Sequence, residues 1–223
     1  MLQWLSDYIS NLPSYFVISL IVMTTIALFG IYFGYRIERL SPKDKPSKTI
    51  TLILLAIDGI NKFVKNYIGK HWTYVTPFAL TMGIYVFLSN IMGVIAVESP
   101  TQFTAITFSM SITAFIVIQS TGIISQGWRH FLGVFQPLAP LAPLNIVSEF
   151  VPIVSMALRL FGNIASGALL LGLLYRVSGW FSIIITPAFH LVFDIGFGTI
   201  QTLVIVLLTI IFASMKVKEE DFQ

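Results

Sequence analysis

Long apolar runs separated by short polar breaks set the plan of this chain. The runs extend from about Tyr15 to Tyr35, Trp72 to Val97, Phe103 to Ile124, Leu144 to Tyr175 and Phe181 to Met215. Each is long enough for a helix to cross a bilayer core, which takes about 20 residues. The last two exceed that length, so at about 1.5 Å per residue these helices must tilt, bend or lie partly across the membrane. A different pattern fills Thr49 to Lys70. There Ile50, Ile53, Leu54, Ile57, Ile60 and Val64 recur at helical spacing, opposite Asp58, Asn61, Lys62 and Lys65. This predicts an amphipathic helix lying on the inner membrane surface, although an ordinary connecting helix carries the same pattern. Pro137, Pro140 and Pro143 bar a regular helix until roughly Leu144. The fold class expected is an all-α polytopic membrane protein with five spans and one interfacial helix.

Composition sharpens this picture. Of 223 residues, 56% are hydrophobic and only 10% charged, which excludes a soluble enzyme fold. The spans occupy most of the length, so residues 1–223 read as a single membrane domain. A net charge of +3 calls for no nucleic-acid partner, because the basic residues gather at membrane ends where orientation explains them. With no cysteine there is neither a disulfide framework nor a thiolate metal site.

The placement of charge gives a topology. No Lys or Arg precedes the first run, and Arg36, Arg39, Lys43, Lys45 and Lys48 follow it, the reverse of a cleavable signal peptide. Lys62, Lys65 and Lys70 belong to the same region, Arg129 to the next inner loop, and Lys216 and Lys218 to the end of the last run. Only Arg176 falls outside. The positive-inside rule therefore puts the N-terminus outside and the C-terminus in the cytoplasm. No internal repeat of the inverted-transporter kind is present.

One arginine breaks the rule. Arg159 lies within the fourth run, in Met156-Ala-Leu-Arg-Leu-Phe-Gly-Asn-Ile-Ala-Ser-Gly. Arginine keeps its charge at any accessible pH, and a charge near the bilayer centre costs from about 2.5 kcal/mol on insertion scales to more than about 10 in simulations. Such a residue marks function. At about 100° per residue, Asn145, Ser148, Pro152, Ser155, Asn163 and Ser166 fall within about 40° of it, with Glu149 about 80° round. Serines and asparagines of this kind also serve as plain helix-helix glue, with Gly162 and Ser166 as a small-residue contact. On the last run, His190, Gly198 and Gln201 share a stripe with Asp194. A carboxylate, an imidazole and an amide so placed can relay a proton through water, or can neutralise Arg159. His71, His130 and His190 are scattered, so no metal site is expected, and no phosphate-binding glycine loop or hydrolytic constellation appears. The chemistry expected is ion transfer, with no cofactor.

Arg159-Leu-Phe-Gly-Asn, Ser148-Glu-Phe before it and the proline-broken Phe135-Gln-Pro segment resemble subunit a of the F-type ATP synthase, in its bacterial form. The resemblance covers most of the chain: Asp58-Gly, Ser89-Asn-Ile-Met-Gly, Ser99-Pro-Thr and Gln201 also match. It implies a stator in the membrane Fo sector, which makes no ATP itself and passes protons through two offset half-channels to and from a rotating ring of c subunits. The b subunits of the peripheral stalk and the lipid bilayer would be its other partners, with the F1 sector reached indirectly. It further implies that Arg159 faces the ring, that Asn163 and Gln201 are its polar neighbours, and that Glu149 is the acid of the inner half-channel. Relatives often carry a carboxylate nine residues after the arginine and a histidine seven before the glutamine. This chain has Ala168 and Asp194 there. The acid of the outer half-channel is therefore expected at Asp194, with His190 one turn away, Ser166 on the arginine stripe and Glu98 at the outer mouth. The location implied is the bacterial plasma membrane. A proton-coupled transporter of an anionic solute and a structural scaffold with a buried Arg159–Asp194 pair are the two other readings.

Overall fold

The computed structural model describes residues 13–40, 46–92, 99–127, 130, 142–179, 189, 195–196 and 198–218. Six α-helices make up this part: α1 (Ser14–Glu38), α2 (Lys48–Ile68), α3 (Trp72–Ile91), α4 (Thr104–Gln126), α5 (Ala142–Ser178) and α6 (Gly198–Ser214). Short 3-10 turns at Gly69–His71 and Pro100–Gln102 lead into α3 and α4. The chain is thus an all-α polytopic membrane protein. Helices α1 and α4, and the stretch of α2 and α3 from Lys48 to Ile91, are long and apolar enough to cross a membrane, while α6 is apolar but shorter within the described residues.

Within the described residues helix α5 runs from Ala142, earlier than the prolines suggest, with Pro143 beside that limit. A proline is tolerated there because the first helical N–H groups have no partner within the helix and its fixed φ already suits the turn. The helix also continues past Tyr175 to Ser178, so Arg176 sits in its last turn, where a cation complements the helix dipole. At 37 residues it is about 55 Å long, well beyond a bilayer core. Asp194, His190 and Glu98 lie outside the described residues, as does the first part of the last run.

Helix α3 is the hub. It packs most extensively on α6 and also meets α2 and α1, while α5 packs chiefly on α4. The core runs through Val64 and Ile68 of α2, Val75, Ala79 and Val86 of α3, Ala114 and Ile118 of α4, and Ile205 and Ile210 of α6. Helix α2 is amphipathic: Ile50, Val64 and Ile68 are buried, while Lys62 pairs with Asp58 at 2.7 Å on its exposed side. Leu20, Ile21 and Ile31 of α1 and Leu158, Leu169 and Leu173 of α5 are exposed, the surface expected where lipid or another apolar helix replaces water.

Several hydroxyl groups inside these helices are satisfied locally. Thr76, Ser111, Thr121, Thr202 and Thr209 each donate to a carbonyl one turn back, at 2.8 to 3.0 Å. Polar residues in the spans therefore need not mark an ion path one by one. Ser19 of α1 and Tyr85 of α3 are an exception, joining two helices through a buried 2.7 Å hydrogen bond.

Candidate functional site: an exposed arginine and two polar clusters

Arg159 is exposed on α5. Among the described residues it has no ion-pair partner, and its neighbours Leu158 and Phe161 are exposed with it. Helix α4 supports α5, and Arg159 lies on the part of α5 that stays exposed. Ser166 is exposed on the same helix and Ser155 is half-buried, while Ser148 returns its hydroxyl to the Leu144 carbonyl at 2.9 Å. Asn163 is one turn beyond Arg159 on α5. Gln201 is on α6 and only 2% exposed, turned into the protein.

Glu149 sits at the junction of three segments. Its Oε2 accepts a 2.7 Å hydrogen bond from Gln119 Nε2 of α4, and its Oε1 is paired with Lys216 Nζ just beyond α6. Gln119 Oε1 is in turn 2.6 Å from His130 Nε2. Chemistry fixes the orientation of the whole chain. A carboxylate only accepts, so the Gln119 amide must turn its NH₂ toward Glu149 and its oxygen toward His130, and His130 must then donate from Nε2. Two further bonds hold Lys216 in place: Gln126 Nε2 donates to the Lys216 carbonyl at 2.8 Å, and the Lys218 N–H donates to Ser125 Oγ at 3.1 Å.

The His130 ring lies directly over Gly122, where an added Cβ would come within 2.6 Å of it. No larger residue fits there without moving the ring. Burial, followed by the positive charge of Lys216, pushes the His130 imidazole below the ordinary 6.5, against a smaller opposing effect of Glu149. The folded state thus disfavours the protonated ring, so stability is lost as pH falls below 6.5, where the unfolded chain begins to take up that proton. The melting temperature of the purified complex should fall as pH is lowered through that value, and His130→Gln should remove this component of the fall. A His130→Gln complex that melts with the unaltered pH dependence would show that the ring does not titrate in this way.

A second cluster pins the start of α6. Asn90 Nδ2 donates to the Gly198 carbonyl at 3.4 Å, Thr101 Oγ1 donates to Asn90 Oδ1 at 3.1 Å, and Ser99 Oγ is 2.7 Å from Thr101 Oγ1. All four residues are buried. Asn90 and the Ser99-Pro-Thr segment, which the sequence offers only as parts of the family resemblance, thus become one hydrogen-bonded unit that positions the helix carrying Gln201.

Of the residues singled out in the sequence, Arg159, Asn163 and Ser166 share α5, Glu149 joins the inner cluster, and Gln201 belongs to α6. Gln119, His130 and Lys216 do not stand out as site residues in the sequence. Gln119 is a long amide in a span otherwise built from apolar and hydroxyl side chains, and that was the available signal. In the sequence Lys216 bears on orientation alone, and the spacing of His130 from Gln119 gives no hint that the chain folds back.

The sequence profile of the ATP synthase A chain family matches residues 16–214. ATP synthase subunit a of Mycoplasma pneumoniae is 29% identical over 222 residues, covering 87% of this chain and 74% of that protein. The subunit a of Staphylococcus aureus is 28% identical over 232 residues, covering 96% and 93%. That of Mycoplasmoides gallisepticum is 25% identical over 239 residues, covering 94% and 80%. With a profile that spans nearly the whole chain and holds the exposed arginine of α5 within it, the chain belongs to the ATP synthase A chain family, and with that to the membrane Fo sector of an ATP synthase.

Proposed function

We propose that this subunit carries protons between the two sides of a bacterial plasma membrane and the rotating c-ring, through two half-channels that do not meet. The exposure of Arg159 on an apolar helix face carries this reading. A permanent charge on such a surface calls for an anion from outside, and an ionised carboxylate on a passing c subunit supplies one. The arginine attracts that carboxylate, promotes loss of its proton, and by its own charge bars a proton from slipping between the half-channels. Glu149, at the end of the fold where the chain closes on Lys216, serves the cytoplasmic half-channel. Asp194 serves the outer one, aided by His190 and Glu98; Asn163 and Ser166 supply the polar surroundings of the arginine on α5, and Gln201 contributes from within the protein on α6. Residues 1–223 act as one membrane domain with the N-terminus outside and the C-terminus in the cytoplasm. The b subunits hold it still, and nucleotide chemistry stays on other subunits.

Double neutralisation tests this against a scaffold with a buried ion pair. Arg159→Gln combined with Asp194→Asn removes both charges together and leaves no unpaired ion. A scaffold tolerates that exchange. An ion path does not, so the double variant should assemble but fail to acidify reconstituted vesicles when ATP is added. Acidification at the unaltered rate would reject the channel reading.

A further inference from the structure

The inner cluster has more parts than an acid at a channel mouth requires. Glu149 uses both oxygens, one toward the Gln119 amide and one toward the Lys216 ammonium, while the clamp from Gln126 to the Lys216 backbone keeps the ammonium where it is. The side chains of Lys216 and Glu149 remain 22% and 25% exposed, so water reaches the pair. Among the described residues, the titratable groups facing Glu149 are Lys216 from the end of α6 and His130 from the segment after α4. The α4 contribution, Gln119, is neutral. Among the described residues, the one full positive charge at the carboxylate therefore comes from Lys216, two residues past the last helix.

We propose that Lys216 is a positioning residue for proton transfer at the inner mouth: it holds Glu149 as an oriented carboxylate and thereby sets the cytoplasmic pH range over which that acid loads and unloads protons. The inference rests on the assignment of Glu149 to the inner half-channel. An ammonium in contact favours the charged form of a carboxylate and weakens its hold on a proton. The acid can then take a proton from cytoplasmic water and release it again without becoming a trap. Gln119 fixes the second oxygen, and its own orientation is fixed by His130. Because Lys216 lies only two residues past the end of α6, the helix bearing Gln201 and the inner mouth are one connected piece.

The test uses the whole complex in inverted membrane vesicles, whose cytoplasmic side faces the medium. ATP-driven proton uptake is recorded against medium pH and divided by ATP hydrolysis of the detached F1 sector at the same pH. In this direction Glu149 must collect protons from the medium, so pumping declines as pH rises. Lys216→Met should move that alkaline limb upward by about one pH unit, a value discounted for the partial exposure of the pair. Lys216→Arg, which keeps the charge, should restore the original limb. Lys216→Gln is the second neutral variant should the methionine variant fail to assemble, because the Gln126 clamp engages only the backbone at this position. A limb that stays in place in the neutral variants overturns the proposal. Glu149→Gln separates the two levels. If it pumps with an unaltered pH profile, Glu149 is not the inner acid and the proposal falls with that assignment. If it flattens the profile while the neutral Lys216 variants do not shift it, the assignment stands and only the role of Lys216 is lost.

Discussion

Replacing Arg159 by alanine should abolish ATP-driven acidification while leaving the complex assembled, and should raise passive proton flux under an imposed potential. The first half follows from charge. A cation in contact with a carboxylate shifts its proton equilibrium by about 1 to 3 pH units, so deleting it slows proton release from the ring by about 10- to 1000-fold. The second half follows from position. A fixed positive charge on the wall between two wet half-channels is the barrier a proton would otherwise meet, and alanine offers none. Assembly should survive because the side chain is exposed on α5 and holds no ion pair among the described residues; the helix rests on α4 through other positions, such as Phe150 stacked on Phe115 at 5.4 Å. Arg159→Lys should retain part of the pumping, since a compact ammonium keeps the charge but loses the planar guanidinium fork. Both quantities are measurable on one vesicle preparation, by a pH-sensitive dye with ATP and by flux under a potassium diffusion potential. Unchanged pumping and unchanged leak in the alanine variant would reject a rotor-facing arginine.

What the sequence made legible divides by the range of the interaction. The apolar runs gave the helices because a bilayer demands long apolar segments with every backbone group bonded internally, a local property that reads directly from the residues. Arg159 stood out for the same reason: it violates the local rule. The clusters were illegible because each is assembled from positions that only folding brings together. Gln119 and Glu149 are 30 positions apart, Lys216 and Glu149 67, and Asn90 and Gly198 108. Pro143 shows the opposite failure. A proline forbids a helix interior, but in a first turn it removes no hydrogen bond, and α5 includes Pro143 within the described residues. Glu149, about 80° from Arg159 on an ideal wheel, looked peripheral to the stripe. That offset is what lets it meet Gln119 of α4 while Arg159 faces away from the protein.

Gly198→Ala should cost both stability and coupling, although it adds one methyl group. A Cβ at this position would lie 2.7 Å from Asn90 Cβ and 3.3 Å from its Cγ and Nδ2. The nearest atom is bonded directly to the backbone of α3, so no side-chain rotation relieves the overlap. Asn90 is further held by Thr101, which touches Ser99. Helix α6 must therefore move away from α3, which weakens the Asn90 bond to the Gly198 carbonyl and loosens the contact in which Gly83 accepts Val206. Overpacking of this kind costs about 1 to 3 kcal/mol, and a lost hydrogen bond about 1 more. Gln201, buried in the first turn of α6, moves with it. A displacement near 1 Å in a proton-transfer site lowers rates by as much as about 100-fold. The expected result is a lower melting temperature together with weaker ATP-driven pumping per ATP hydrolysed. Paired suppressors make the cause testable. Asn90→Gly removes the colliding Cβ and should recover part of the coupling in the double variant, after its own helix penalty of about 1 kcal/mol is measured in the single variant. Asn90→Ala keeps the Cβ and should recover nothing. Equal rescue by both would mean that the amide, rather than the close approach of the two helices, limits this interface.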